Sequence, residues 1–143
     1  MFDSVLIVCE GNICRSPVGA ALLRQRIGRE VESAGVAALV GRDMDPRARE
    51  VAERHGLACP PHRARQLTLE MCSGADLILV MEQRQREYLL RMAPESAGKA
   101  LLFGKWLDER EIPDPYRRSR EAYEQVHRVL TEAAAAWAER LGS

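Results

Sequence analysis

The chain has no apolar run near the ~20 residues that a membrane span needs, so no insertion into a bilayer is expected. Its first apolar stretch, Val5–Val8, is too short for a secretion signal and has no basic lead-in. There is no charge excess of either sign: 21 Lys and Arg balance 21 Asp and Glu. That balance argues against general nucleic-acid or membrane-surface binding. Lysine is nearly missing, with Lys99 and Lys105 alone. Arginine carries the positive charge; coding bias accounts for most of it, although a guanidinium also suits bidentate phosphate recognition. The four cysteines, Cys9, Cys14, Cys59 and Cys72, fit no zinc spacing. A core built from 143 residues needs no disulfides. They read as thiols of a cytoplasmic protein, at least one of them chemical. No internal repeat, low-complexity tract or linker divides the sequence, so residues 1–143 read as one domain.

What is present alternates. Val5–Val8 and Asp76–Met81 are apolar runs typical of strands buried on both faces. Val31–Ala34 and Ala100–Phe103 are weaker strand signals. Helical patterns fill 17–27, 46–55, 83–92 and 120–141, with Ser16 expected to cap the first, Gly28 and Gly56 to end the first two, and Thr68 to cap a short helix at 69–72. The Ala133–Ala136 run suits close packing on a sheet. Strands alternating with helices predict an α/β fold: a single-domain, doubly wound, four-stranded parallel sheet flanked by helices, with a phosphate-binding loop near the N-terminus. Ligands of such sheets bind beyond the carboxyl ends of the strands, where Cys9 falls.

Cys9-Glu10-Gly11-Asn12-Ile13-Cys14-Arg15-Ser16-Pro17 joins the first strand to the first helix. A tight loop running into a helix N-terminus favours an anion, and the same field favours the thiolate, the reactive form of cysteine. Gly11 permits a sharp turn, and Asn12 tolerates left-handed geometry and can tie the loop. Arg15 can fork onto two phosphate oxygens, and the Ser16 hydroxyl can donate to sulfur. Cys-x5-Arg alone is a weak signal; Cys59 and Arg65 repeat it. That second copy has no preceding strand and no glycine, and Pro60 and Pro61 remove backbone donors, so it is not expected to cradle an anion. His55, His62 and His127 are scattered, and none receives a catalytic role.

These residues resemble the phosphate loop of the low-molecular-weight protein tyrosine phosphatases. Asp114-Pro115-Tyr116, before the last helix, resembles the aspartate-proline pair of the same family. The resemblance covers essentially the whole chain. Glu32-Ser33-Ala34-Gly35, Ala38-Leu39-Val40-Gly41 and Ile112-Pro113-Asp114-Pro115-Tyr116-Arg117 look like the branch associated with capsule and exopolysaccharide production in Gram-negative bacteria.

The resemblance implies a hydrolase that needs neither metal nor cofactor. Cys9 would be the nucleophile and form a cysteinyl-phosphate. Arg15 and the loop of Glu10, Gly11, Asn12, Ile13, Cys14, Arg15 and Ser16 would hold the phosphate, with Asp114 as general acid and then base. Tyr116 and Leu39 would wall the entrance. Cys14 would bond oxidised Cys9 and protect it from over-oxidation. Cys59 and Cys72 read as structural or incidental. The implied partner is a phosphotyrosine protein, a bacterial tyrosine autokinase of an exopolysaccharide pathway. One departure stands out: Arg117 follows Tyr116 where eukaryotic relatives often have a second, phosphorylated tyrosine, so that form of regulation is not expected. Three rival readings remain. One is a thiol-dependent arsenate reductase on the same fold, which would need further cysteines after the third strand, where Met81-Glu82-Gln83 stands. The others are a non-catalytic anion-binding module and a phosphotransfer adaptor that keeps its phosphate.

Overall fold

The computed structural model describes residues 2–142. In chain order the elements are β1 (Ser4–Cys9), α1 (Arg15–Ile27), β2 (Glu30–Gly35), α2 (Pro46–Arg54), α3 (Leu69–Gly74), β3 (Leu77–Val80), α4 (Gln83–Met92), β4 (Ala100–Leu102) and α5 (Arg120–Leu141), with a 3-10 turn at Pro94–Ser96. The sheet order is β2-β1-β3-β4 and every pairing is parallel. Ile7 faces Ser33 on one side and Leu79 on the other. This is the doubly wound α/β sheet that the alternation predicts.

The two faces of the sheet build two cores. Val5, Ile7, Cys9, Leu77, Leu79 and Met81 belong to one cluster, with buried residues of α1, α2 and α5. Leu6, Val8, Ile78 and Val80 belong to the other, with Cys72 of α3 and Leu89 of α4. Burial on both faces is why β1 and β3 read as unbroken apolar runs. Ile7 and Val8 are wholly buried, each worth roughly 1.5–3 kcal/mol of hydrophobic stabilisation. β2 is an edge strand, and its exposed Glu30 and Glu32 blunt pairing with a further strand.

One local expectation is corrected. Ser16 does not cap α1: Cys14 occupies the cap position, and Ser16 lies inside the first turn with its hydroxyl turned to the Cys9 sulfur. The helix therefore starts two residues earlier and leaves its N-terminal amides without a side-chain cap. The alanine run of α5 enters the core on one face of the sheet, where Ala133 and Ala134 share a buried cluster with Ile7 and Leu79. α5 runs along α1 and touches α2. It reaches the sheet edge through Trp137, whose indole N–H donates to the carbonyls of Phe103 (3.0 Å) and Leu102 (3.4 Å). The other caps hold: Gly28 takes the left-handed conformation after α1 (φ 61°), and Thr68 accepts from the Met71 amide at 3.2 Å.

Strand order reverses at β1, with β2 on one side and β3 on the other, so the crevice beyond its carboxyl end is the topological switch point. Gly19 keeps α1 close above it. A Cβ there would stand 3.3 Å from Phe103 and 3.4 Å from Ile7.

Candidate active site

Cys9 ends β1 and is 2% exposed. Its Sγ stands 2.9 Å from the Ser16 hydroxyl and 3.4 Å from the Ser16 backbone N–H. Asn12 decides the direction of the first contact. Its Nδ2 donates to Ser16 Oγ at 2.8 Å, which leaves the hydroxyl proton for another acceptor. Sulfur at 2.9 Å is nearer than the Ala34 carbonyl at 3.4 Å. Two donors thus point at Sγ, the arrangement that steadies a thiolate.

Asn12 sits in the left-handed region (φ 60°) and is fully buried. Such a backbone persists only where its surroundings hold it. Here Nδ2 also donates to Ser33 Oγ (2.9 Å), Oδ1 accepts from the Arg65 amide (2.9 Å), and the carbonyl accepts from His62 Nε2 (2.6 Å). A carbonyl only accepts, so Nε2 carries the proton. The loop is also stitched to its neighbours through backbone bonds: Ala37 to Glu10, Leu39 to Gly11 and Asp45 to Ile13, at 2.9–3.1 Å.

Arg15, the first residue of α1, is 1% exposed. Its Nη1 donates to Glu82 Oε2 at 2.6 Å and to the Ile112 carbonyl at 2.7 Å. Its Nη2 stands 3.7 Å from Asp114 Oδ2. Nε is buried and has no acceptor among the described residues. The guanidinium is pinned by one corner while its remaining N–H groups stay available to an anion. A buried donor left unpaired costs about 1–3 kcal/mol, so the geometry is built for an acceptor from outside the chain.

Asp114 is at the mouth. Its Oδ1 accepts from the Tyr116 amide at 3.0 Å, which turns Oδ2 toward Arg15. Cys9, Glu10, Gly11, Ile13, Cys14, Arg15, Ala37, Leu39, Asp114 and Tyr116 together line a cleft of about 180 Å³. The structure therefore brings together every residue singled out from the sequence except Asn12 and Ser16, which lie behind the loop and hold it. Cys14 differs from Cys9 in environment: burial, and then the nearby Asp45 carboxylate, push its thiol up, so it stays protonated. Among the described residues no group of three His, Cys, Asp or Glu side chains converges as a metal site.

Sequence reasoning missed Glu82, His62 and Ser33. Glu82 could have been found: it stands two residues past the end of β3, at the same carboxyl edge as Cys9. His62 and Ser33 act through the tertiary fold, and nothing local marks them.

The low molecular weight phosphotyrosine protein phosphatase family model matches residues 4–143. The low molecular weight protein-tyrosine-phosphatase Etp of Escherichia coli K12 is 50% identical over 98% of this chain and 95% of its own. A crystal structure of the tyrosine phosphatase Wzb from Escherichia coli K30 in complex with sulphate superposes with a TM-score of 0.97 at 50% identity, covering 99% of this chain and 100% of that one. Vibrio vulnificus Wzb in complex with benzylphosphonate matches with a TM-score of 0.95 at 44% identity, over 98% and 99% of the two chains.

Proposed function

The chain belongs to the low-molecular-weight phosphotyrosine protein phosphatases, and from that premise we propose that it hydrolyses phosphotyrosine through a cysteinyl-phosphate on Cys9. Cys9 Sγ attacks phosphorus in line, forming the S–P bond as the P–O bond to the phenol breaks. Arg15 Nε and Nη2 and the loop amides take the equatorial oxygens, where charge is spread in the transition state. Asp114, protonated, gives its proton to the departing phenolate. As carboxylate it then takes a proton from the water that attacks phosphorus, releasing phosphate and restoring the thiolate.

The observation that carries this reading is one cleft with Cys9 and the free side of Arg15 in its floor and Asp114 at its mouth. Leu39 and Tyr116 give the cleft apolar walls suited to a phenyl ring. A phenol carries its phosphate farther from the backbone than a serine does, so a deep thiol selects tyrosine by reach. The benzylphosphonate complex of a 44% identical relative supports an aryl ligand. A protonated Cys14 beside Cys9 would close a disulfide with the sulfenic form and release water, shielding Cys9 from over-oxidation. The autokinase substrate of an exopolysaccharide pathway rests on the family resemblance. Cytoplasmic location is supported by four free thiols and by the lack, among the described residues, of a helix long and apolar enough to cross a membrane.

The test of the acid role compares phenyl phosphate with p-nitrophenyl phosphate. Asp114→Asn slows phenyl phosphate more, because the poorer leaving group needs its proton more. An unchanged dependence on leaving-group pKa at the phosphorylation step removes Asp114 from that role. The substrate is tested with a phosphorylated autokinase tail and matched phosphoserine and phosphothreonine peptides. Similar kcat/KM on all three rejects tyrosine selectivity.

A further inference from the structure

A second, wider groove opens on the far side of Tyr116. It measures about 600 Å³ and is lined by Arg47, Arg117, Arg118 and Arg120, with Asp45, Pro46, Glu50 and Tyr123. Tyr116 lines both this groove and the Cys9 cleft, so a chain seated in one passes directly into the other.

The charges here do not cancel as they do over the whole molecule. Arg120 pairs with Glu50 at 2.9 Å. Asp45 is spent on structure: it caps α2 through the Ala48 amide at 3.2 Å. Among the described residues Arg47, Arg117 and Arg118 have no carboxylate partner. Arg47 is aimed into the groove by the Arg118 carbonyl (3.2 Å) and by lying over the Tyr123 ring at 5.8 Å. Arg117 lies over the Tyr116 ring at 5.3 Å from a left-handed backbone (φ 64°), a conformation that costs energy in a residue other than glycine. Three exposed guanidiniums therefore line one groove without a carboxylate partner among the described residues, and a guanidinium fork matches a carboxylate.

We infer that this groove is a substrate subsite that takes acidic side chains, Asp or Glu, flanking the phosphotyrosine. It rests on the phosphatase reading and adds to it a sequence preference. Charges at the rim of a site act mainly on encounter, so the preference falls on kcat/KM and weakens with salt.

Three phosphotyrosine peptides that differ only in their flanks, glutamate, alanine or lysine, test it together with p-nitrophenyl phosphate, which is too small to reach the groove. The wild-type enzyme turns over the glutamate peptide with a kcat/KM about tenfold above that of the lysine peptide at low salt, and high salt erases the ratio. Arg47→Glu/Arg118→Glu reverses the order while p-nitrophenyl phosphate hydrolysis stays within about twofold. If that variant also loses p-nitrophenyl phosphate turnover, the salt dependence of the wild-type ratio decides. Equal kcat/KM on all three peptides, with p-nitrophenyl phosphate hydrolysed normally, overturns the subsite and leaves the phosphatase reading standing. No hydrolysis of p-nitrophenyl phosphate by the wild-type chain overturns that reading, and the subsite with it.

Discussion

Cys9 to Arg15 and Cys59 to Arg65 have the same spacing and opposite fates. The first copy follows a buried strand and enters a helix, so its thiol, its guanidinium and the helix amides converge on one cleft. The second copy lies between α2 and α3 with no helix or strand of its own. Its cysteine points at the Leu57 carbonyl, 3.9 Å away. Yet the second copy is not idle. His62 and the Arg65 amide bind the two ends of Asn12, and Ala64 exchanges backbone bonds with Gly41 and Arg42 at 2.8 Å. A spacing becomes a candidate site when the fold supplies donors behind it, and here the second copy helps to supply them.

The comparison breaks most sharply at the thiols. We expect Cys9→Ser to lower p-nitrophenyl phosphate turnover by on the order of a thousandfold or more, since a hydroxyl without a base is a poor nucleophile. Cys59→Ser stays within about twofold of wild type in the same steady-state assay.

A smaller but still large effect is expected where the two segments meet. Gly35 bonds to the second copy through Arg65, and to Leu67 just beyond it. A Cβ on it would stand 2.5 Å from the Glu10 carbonyl and 3.0 Å from the Asn12 nitrogen. Gly35→Ala therefore pushes the loop out of place and lowers kcat by about ten- to a hundredfold, the scale of a 1 Å misplacement. Gly74→Ala, with no described residue within 4 Å of its added methyl, leaves kcat unchanged.

His62→Ala removes one brace and not the loop itself. The Asn12 carbonyl loses its donor, so stability falls by about 1–2 kcal/mol and kcat drops severalfold. Urea denaturation and steady-state kinetics read the two effects. Replacing exposed Arg63, one residue along, changes neither.

The smallest effect belongs to a pair outside the comparison. His127 is a buried residue of α5 and stacks on His55 at 4.7 Å, with Glu124 bonded to His55 and paired with Arg54. Burial, then the neighbouring His55, lowers the pKa of His127 below 6.5. The unfolded chain binds the proton more readily, so stability rises with pH through that window and is lost as pH falls below about 6.5. Thermal melts from pH 7.5 to 5.5 show a steeper fall in Tm for wild type than for His127→Phe.

The sheet and its helices were legible because β1 and β3 are unbroken apolar runs and Gly28, Thr68 and Pro94 punctuate the rest. α4 and α5 fall at the expected residues, 83–92 and 120–141. The cleft residues were legible because loop chemistry and family resemblance agree on them. Ser16 was misplaced for a physical reason: a serine before a proline looks like a cap, but its hydroxyl is drawn to Cys9 and Asn12 by partners the local sequence does not contain. The Glu82 clamp on Arg15 and the His62 brace join residues 67 and 50 positions apart. Contacts at that range follow from topology and not from any local pattern.

The central claim is that phosphate passes through the sulfur of Cys9. Asp114→Asn, in which hydrolysis of the intermediate is slowed, is mixed with p-nitrophenyl phosphate, quenched in acid, digested and read by mass spectrometry. The account predicts one added phosphoryl group, on the peptide carrying Cys9 and at its sulfur. A phosphoryl group on Cys59 or any other residue, or a burst of p-nitrophenol that leaves every peptide unmodified, contradicts it.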